Sequence, residues 1–157
     1  MKRIKELVTL SWEHHDGLVF VFRIQQGIKN SADSNVIKDY LLTTWDNALN
    51  HHFWQEEQSL NSVLEKTEKG NELLHQMLED HEHFKKEIEY LRSEENPDTK
   101  RLLDFAERLN KHIRFEERDL FPFLEKTIEP AMLEQIGQFL SEHHEKPEKC
   151  WSETFWK

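Results

Sequence analysis

The sequence predicts an all-α fold: an antiparallel up-down-up-down four-helix bundle with a short fifth helix at the C-terminus. Three observations predict it. Apolar residues recur at three- and four-residue spacing through long stretches, which places them on one helix face. The polar breaks between the stretches are short, which makes successive helices antiparallel neighbours. No run alternates polar and apolar residues in the manner of a strand.

The first stretch, about 4–29, carries Val8, His15, Val19 and Phe22 on one line. Asn30 to Asn35 is a turn cluster, with Asp33 or Ser34 as the N-cap of the second helix. The second stretch, about 34–67, aligns Ile37, Leu41, Trp45, Leu49, His52, Glu56 and Val63. Glu68-Lys69-Gly70-Asn71 reads as a C-cap and loop. The third stretch, about 71–93, aligns Leu74, Met77, His81, Phe84, Ile88 and Leu91. Ser93 to Asp98 ends it, with Pro97 near the first turn of the next helix. The fourth, about 97–127, aligns Leu102, Phe105, Leu109, His112, Glu116 and Leu120. A weaker break at Thr127 to Pro130 leads to a fifth stretch, about 130–145. The chain, 1–157, reads as one domain with a core of about 8–145 and a tail, 146–157.

Composition narrows the function classes. Of 157 residues 36% are hydrophobic and 33% charged, with a net charge of −10. That suits helices with one buried stripe and argues against nucleic acid or a membrane surface as partner. No stretch approaches the roughly 18 apolar residues of a membrane span. The start does not read as a signal peptide, because charge and histidine interrupt its apolar run. Cys150 is the lone cysteine, so neither an internal disulfide nor a multi-thiolate site is available. It reads as inert, and a cytoplasmic location fits.

Histidine is abundant, with ten residues. His14-His15, His51-His52 and His143-His144 are adjacent pairs, and at most one of each pair faces a core. His15, His52, Glu56, His81, His112 and Glu116 fall on the apolar stripes. Burying such groups without partners costs several kcal/mol, roughly, so something must satisfy them. At about 1.5 Å of rise per residue, the four histidines lie in one layer of an antiparallel bundle to within about 5 Å. His15 is preferred to His14 because Leu18, Val19 and Phe22 stand beyond it at helical spacing.

Two helices carry His-x-x-x-Glu, as His52 to Glu56 and His112 to Glu116. At i and i+4 both side chains leave one face. Two bridging carboxylates and four imidazoles divide between two ions, leaving room for an oxo or hydroxo bridge and a small ligand. Mixed imidazole and carboxylate donors suit iron or manganese, and also zinc.

The stretches Glu13 to Leu18, His52 to Glu57, His81 to Phe84 and His112 to Pro122 resemble the hemerythrin-like family of HHE cation-binding domains. His112-x-x-x-Glu116-Glu117-x-x-Leu120-Phe121-Pro122 is nearly a family signature. The resemblance runs over about 8–145. It implies a non-haem di-iron bundle that binds O₂, NO or peroxide, or that handles iron. Oxygen carriers of the family have a further histidine where Met77 stands, and an aspartate in place of Glu116. The set of four histidines and two glutamates is closer to the bacterial iron-centre repair proteins. These have an extra cysteine-bearing domain with no obvious counterpart here.

The remaining candidates take plainer roles. His51 and His83 lie off the stripes, and His75 is near a loop. His143 and His144 would cap or support the site, or supply a fifth nitrogen if the last helix folds over it. Glu57 and Glu117, each following a bridging glutamate, are either hydrogen-bond acceptors behind the site or part of a solvated face, and the solvated face is preferred. Phe53, Trp54, Phe115, Phe121 and Phe123 are assigned to packing. Two other function classes stay open: a redox enzyme consuming NO or peroxide, and a metal-free helical module using Trp151, Phe155 and Trp156 to hold a partner.

Overall fold

The computed structural model describes residues 3–145 and 151–157, and Cys150 lies outside them. Helix α1 is Val8–Lys29. Helix α2 is continuous through Ser34–Thr44, a π-helical turn Trp45–Leu49, and Asn50–Leu64. Helix α3 is Glu68–Arg92. Helix α4 runs through Thr99–Phe115, a second π turn Glu116–Leu120, and Phe121–Thr127. The short α5 is Pro130–His143 and packs on the second half of α2. No strand occurs among the described residues, and none of their helices is long and apolar enough to cross a membrane.

Capping chemistry sets the helix starts. Asp33 accepts from the Asn35 amide at 2.8 Å and Asp98 from the Lys100 amide at 2.9 Å, each satisfying a donor the helix leaves free. Pro130 opens α5, where a missing N–H costs nothing. Gly70 corrects one expectation. It is no C-cap: Thr67 caps α3 through the Gly70 amide, at 3.0 Å. A Cβ at Gly70 would stand 2.2 Å from the Leu64 carbonyl oxygen, so glycine is required by close backbone approach at the α2–α3 turn.

The π turns arise from the spacing of the apolar residues. Ile37, Leu41, Trp45 and Leu49 step by four, and so do His112, Glu116, Leu120 and Leu124. Steps of four drift by about 40° each on a helix of 3.6 residues per turn. The amide that follows each π turn reaches back five residues, Asn50 to Trp45 and Phe121 to Glu116. The added residue per turn keeps the buried line facing inward. Such insertions are frequent at functional sites.

Two apolar cores fill the bundle. One gathers Phe20, Ile24, Leu41, Phe84, Phe105 and their neighbours. The other gathers Leu10, Leu60, Met77, Phe121, Leu140 and theirs. A layer of buried polar residues separates them: His14, His52, Glu56, His81, His112 and Glu116.

The stripe of α1 is also corrected. Its buried line is Leu10, His14, Gly17, Val21 and Ile24, one residue out of phase with the expected line. Phe22 is 55% exposed and His15 lies on the solvent side. The aromatic tail folds back on the first core. Tyr40 meets Trp151, Phe155 and Trp156, and the Arg23 guanidinium lies 4.3 Å from the centre of a Trp156 ring.

Candidate metal centre

Each of the four main helices supplies one histidine, and α2 and α4 each add a glutamate one turn later. The imidazole Nε2 atoms point into the bundle. His14 Nε2 lies 2.8 Å from Glu116 Oε1 and 3.7 Å from Glu56 Oε2. His52 Nε2 lies 3.3 Å from Glu56 Oε2, and His81 Nε2 3.1 Å from Glu56 Oε1. His112 Nε2 lies 3.4 Å from Glu116 Oε1. The donor atoms form two overlapping groups, each of which could hold a metal ion: His14, His52, Glu56 and Glu116, and Glu56, His81, His112 and Glu116.

The Nδ1 atoms point outward, and each donates to its own carboxylate. His14 donates to Glu117 at 2.7 Å and His52 to Glu13 at 2.7 Å. His81 donates to Glu57 at 2.8 Å and His112 to Asp80 at 2.8 Å. In every case the carboxylate sits beside a residue of the central layer on the neighbouring helix: Glu13 beside His14, Glu57 beside Glu56, Asp80 beside His81, and Glu117 beside Glu116. The four bonds close a ring, from α1 to α2, α2 to α3, α3 to α4 and α4 to α1. A proton held on Nδ1 leaves the lone pair on Nε2, the form of imidazole that binds a metal.

The outer carboxylates are themselves held. Ser11 and Arg3 donate to Glu117, Gln55 to Glu13, and Arg108 to Asp80. Lys85 lies 3.8 Å from Glu57. Aromatic rings close the layer above and below: Phe53 stacks on His81 at 4.2 Å and Phe121 on His14 at 5.3 Å. The assignment of Glu57 and Glu117 to a solvated face is therefore corrected, since both bind histidines.

Without a cation, the carboxylates draw protons onto His14, His52 and His81. Burial opposes protonation of His52 and His81, yet Glu56 together with Glu13 or Glu57 outweighs it and pushes both up to about 9. Burial likewise opposes a charge on His14, and Glu116, Glu117 and Glu56 hold it well above the usual imidazole range. Burial and the neighbouring charge of Glu56 push the Glu116 carboxyl up. The surrounding histidines overcome burial at Glu56 and hold it well below the carboxylate range.

Four atoms of the layer, His52 Nε2, His112 Nε2, Glu56 Oε2 and Glu116 Oε2, are buried without a hydrogen-bond partner. Each such orphan costs about 1–3 kcal/mol. These atoms converge, and a pair of cations, one in each donor group, would satisfy all of them. The donor set and its orphans fit a metal pair.

Five of the six expected residues, His52, Glu56, His81, His112 and Glu116, lie in this layer. The sixth, His15, does not: His14 is 4% exposed and takes its place. The cause is the one-residue phase error on α1. His143 and His144 supply no nitrogen to the layer. His143 stacks on Phe139 at 4.2 Å, and its carbonyl accepts from His51 at 2.6 Å. His144 reaches Glu13 at 3.2 Å and so supports the carboxylate that holds His52. Met77 is buried in the second core.

No curated protein and no solved structure matches the chain significantly. The family model described as hemerythrin HHE cation binding domain matches residues 7–124, about three quarters of the chain. That span contains α1 to α4 down to Leu124 and every residue of the central layer. The chain belongs to the hemerythrin HHE cation-binding domain family.

Proposed function

We propose that this protein holds two iron ions in the central layer and that a small ligand such as O₂, NO or peroxide binds there. One ion would be held by His14 and His52, the other by His81 and His112, with Glu56 and Glu116 shared between them. The observation that carries this is the orientation of the imidazoles: four Nε2 lone pairs converge on two buried glutamates, and each ring is locked from behind by a carboxylate. Imidazole and carboxylate donors together favour iron or manganese over softer metals. A pair of iron ions would supply reversible one-electron redox chemistry and open positions for a small ligand.

The chain's own residues do the rest. The carboxylate ring sets the imidazole tautomers, Phe53 and Phe121 exclude water from two sides, and the shared glutamates balance the cationic charge. The aromatic tail, expected to hold a partner if the bundle were metal-free, lies instead against Tyr40 and Arg23 of its own chain.

The test is elemental analysis of freshly purified protein, with its visible spectrum recorded in air and after reduction. Two irons per chain and near-ultraviolet charge-transfer bands that bleach on reduction are expected. Glu56→Gln and Glu116→Gln should each release at least one ion, because a neutral amide bridges poorly. Full metal retention in both variants would refute the assignment.

A further inference from the structure

A cavity of about 270 Å³ opens between α1, α2 and α4 and reaches the central layer. His14, His52 and His112 line its floor, whereas His81, Glu56 and Glu116 do not. Its walls include Gly17, Phe20, Ala48, Leu49 and Ile113, with the polar Thr44, Asn47 and His51. Gly17 lets α1 approach α4 closely, since a Cβ there would stand 2.9 Å from Ile113 Cδ1.

Size argues for more than a diatomic molecule. One water takes about 30 Å³, and an apolar cavity of about 150 Å³ holds benzene. By that measure this one accommodates about ten non-hydrogen atoms. Charge narrows the class further. Glu13, Asp16 and Glu145 stand among the lining residues, and no lysine or arginine does. An organic anion would have to pass this acidic rim on a chain of net charge −10.

We propose that the cavity binds a neutral, mainly apolar organic molecule of about the size of a bicyclic aromatic. This deepens the proposed function, because the metal pair would lie at the cavity floor. The pocket itself is built by the protein alone, so the two readings can fail separately.

The experiment is calorimetric titration of the purified protein with indole and with indole-3-carboxylate, metal content being measured on the same sample. Saturable binding of one indole per chain is expected, with the carboxylate bound at least about tenfold more weakly. Ala48→Phe fills the cavity from a wall residue outside the central layer and should abolish indole binding while metal content is kept. Ala48→Leu fills it less and should weaken binding, which keeps the test open if the larger ring prevents folding. Absence of indole binding, equal binding of the carboxylate, or indole binding unchanged in either Ala48 variant would overturn the proposal. A chain that binds indole and takes up no metal would overturn the di-iron reading alone. Two irons with no indole binding would do the reverse.

Discussion

Glu13 of α1 accepts the Nδ1 proton of His52 of α2 at 2.7 Å, and the residue after Glu13 aims its own Nε2 into the same site. One turn of α1 thus supplies both a donor to the centre and the group that orients the next helix's donor. The same device recurs at Asp80-His81, where Asp80 holds His112 at 2.8 Å.

Removal of one such carboxylate should weaken metal binding without removing a ligand. Asp80→Ala is expected to lower affinity about 10- to 100-fold, the usual cost of losing a histidine's outer partner. Asp80→Asn, whose amide oxygen still accepts a hydrogen bond, should recover part of it. Competition with a chelator of known affinity measures both. Equal affinities for wild type and Asp80→Ala would show that His112 is oriented by packing alone.

His14 and His15 give a direct contrast between neighbours. His14→Ala should release an ion, because it deletes a buried nitrogen 2.8 Å from Glu116. His15→Ala should leave metal content unchanged, because His15 is exposed. Metal analysis of the two variants separates them, and the opposite pattern would reverse the phase assigned to α1.

Protons and metal compete for the same nitrogens. In the metal-free chain burial is outweighed by carboxylates, and His52 and His81 are raised from 6.5 to about 9. A raised imidazole contributes stability fully below 6.5 and loses it as pH rises through about 9. The melting temperature of chelator-treated protein should therefore fall between those pH values, while that of the loaded protein changes less. Metal affinity should rise with pH over the same window, and uptake should release protons into a weak buffer. A metal-free melting temperature that rises from neutral pH toward 9 would contradict the ion pairing described.

The legible and illegible parts of this fold differ for physical reasons. Lines on α2, α3 and α4 were readable because every position on them is apolar or a ligand-type residue, from Ile37 to Val63, Leu74 to Leu91 and Leu102 to Leu120. The buried line of α1 passes through Gly17, which carries no apolar signal, while Trp12 and Phe22 are large apolar residues left 63% and 55% exposed. Hydrophobicity alone therefore pointed one residue away from His14. A clue was present in the pairing of Glu13-His14 with Asp80-His81, an acid directly before a histidine in both. The outer carboxylates were obscure because each bonds a histidine on another helix, a relation no spacing along one helix reveals. Gly70 looked like a helix end because its requirement comes from a neighbouring backbone oxygen.

The aromatic tail offers a test whose sign reverses with background. A Cβ at Gly27 of α1 would stand 2.5 Å from Phe155 Cδ1, so glycine there makes room for the tail's ring. Gly27→Ala should destabilise the wild type by displacing that ring. Phe155→Ala should cost about 1–2 kcal/mol, less than a fully buried ring would, and neither change should alter metal content. In the Phe155→Ala background the obstruction is gone. Gly27→Ala should then stabilise, by up to about 1 kcal/mol, because alanine is the better helix former. Denaturant titration of the two single variants and the double variant gives the coupling. If Gly27→Ala has the same effect in both backgrounds, the tail does not rest on α1 in solution.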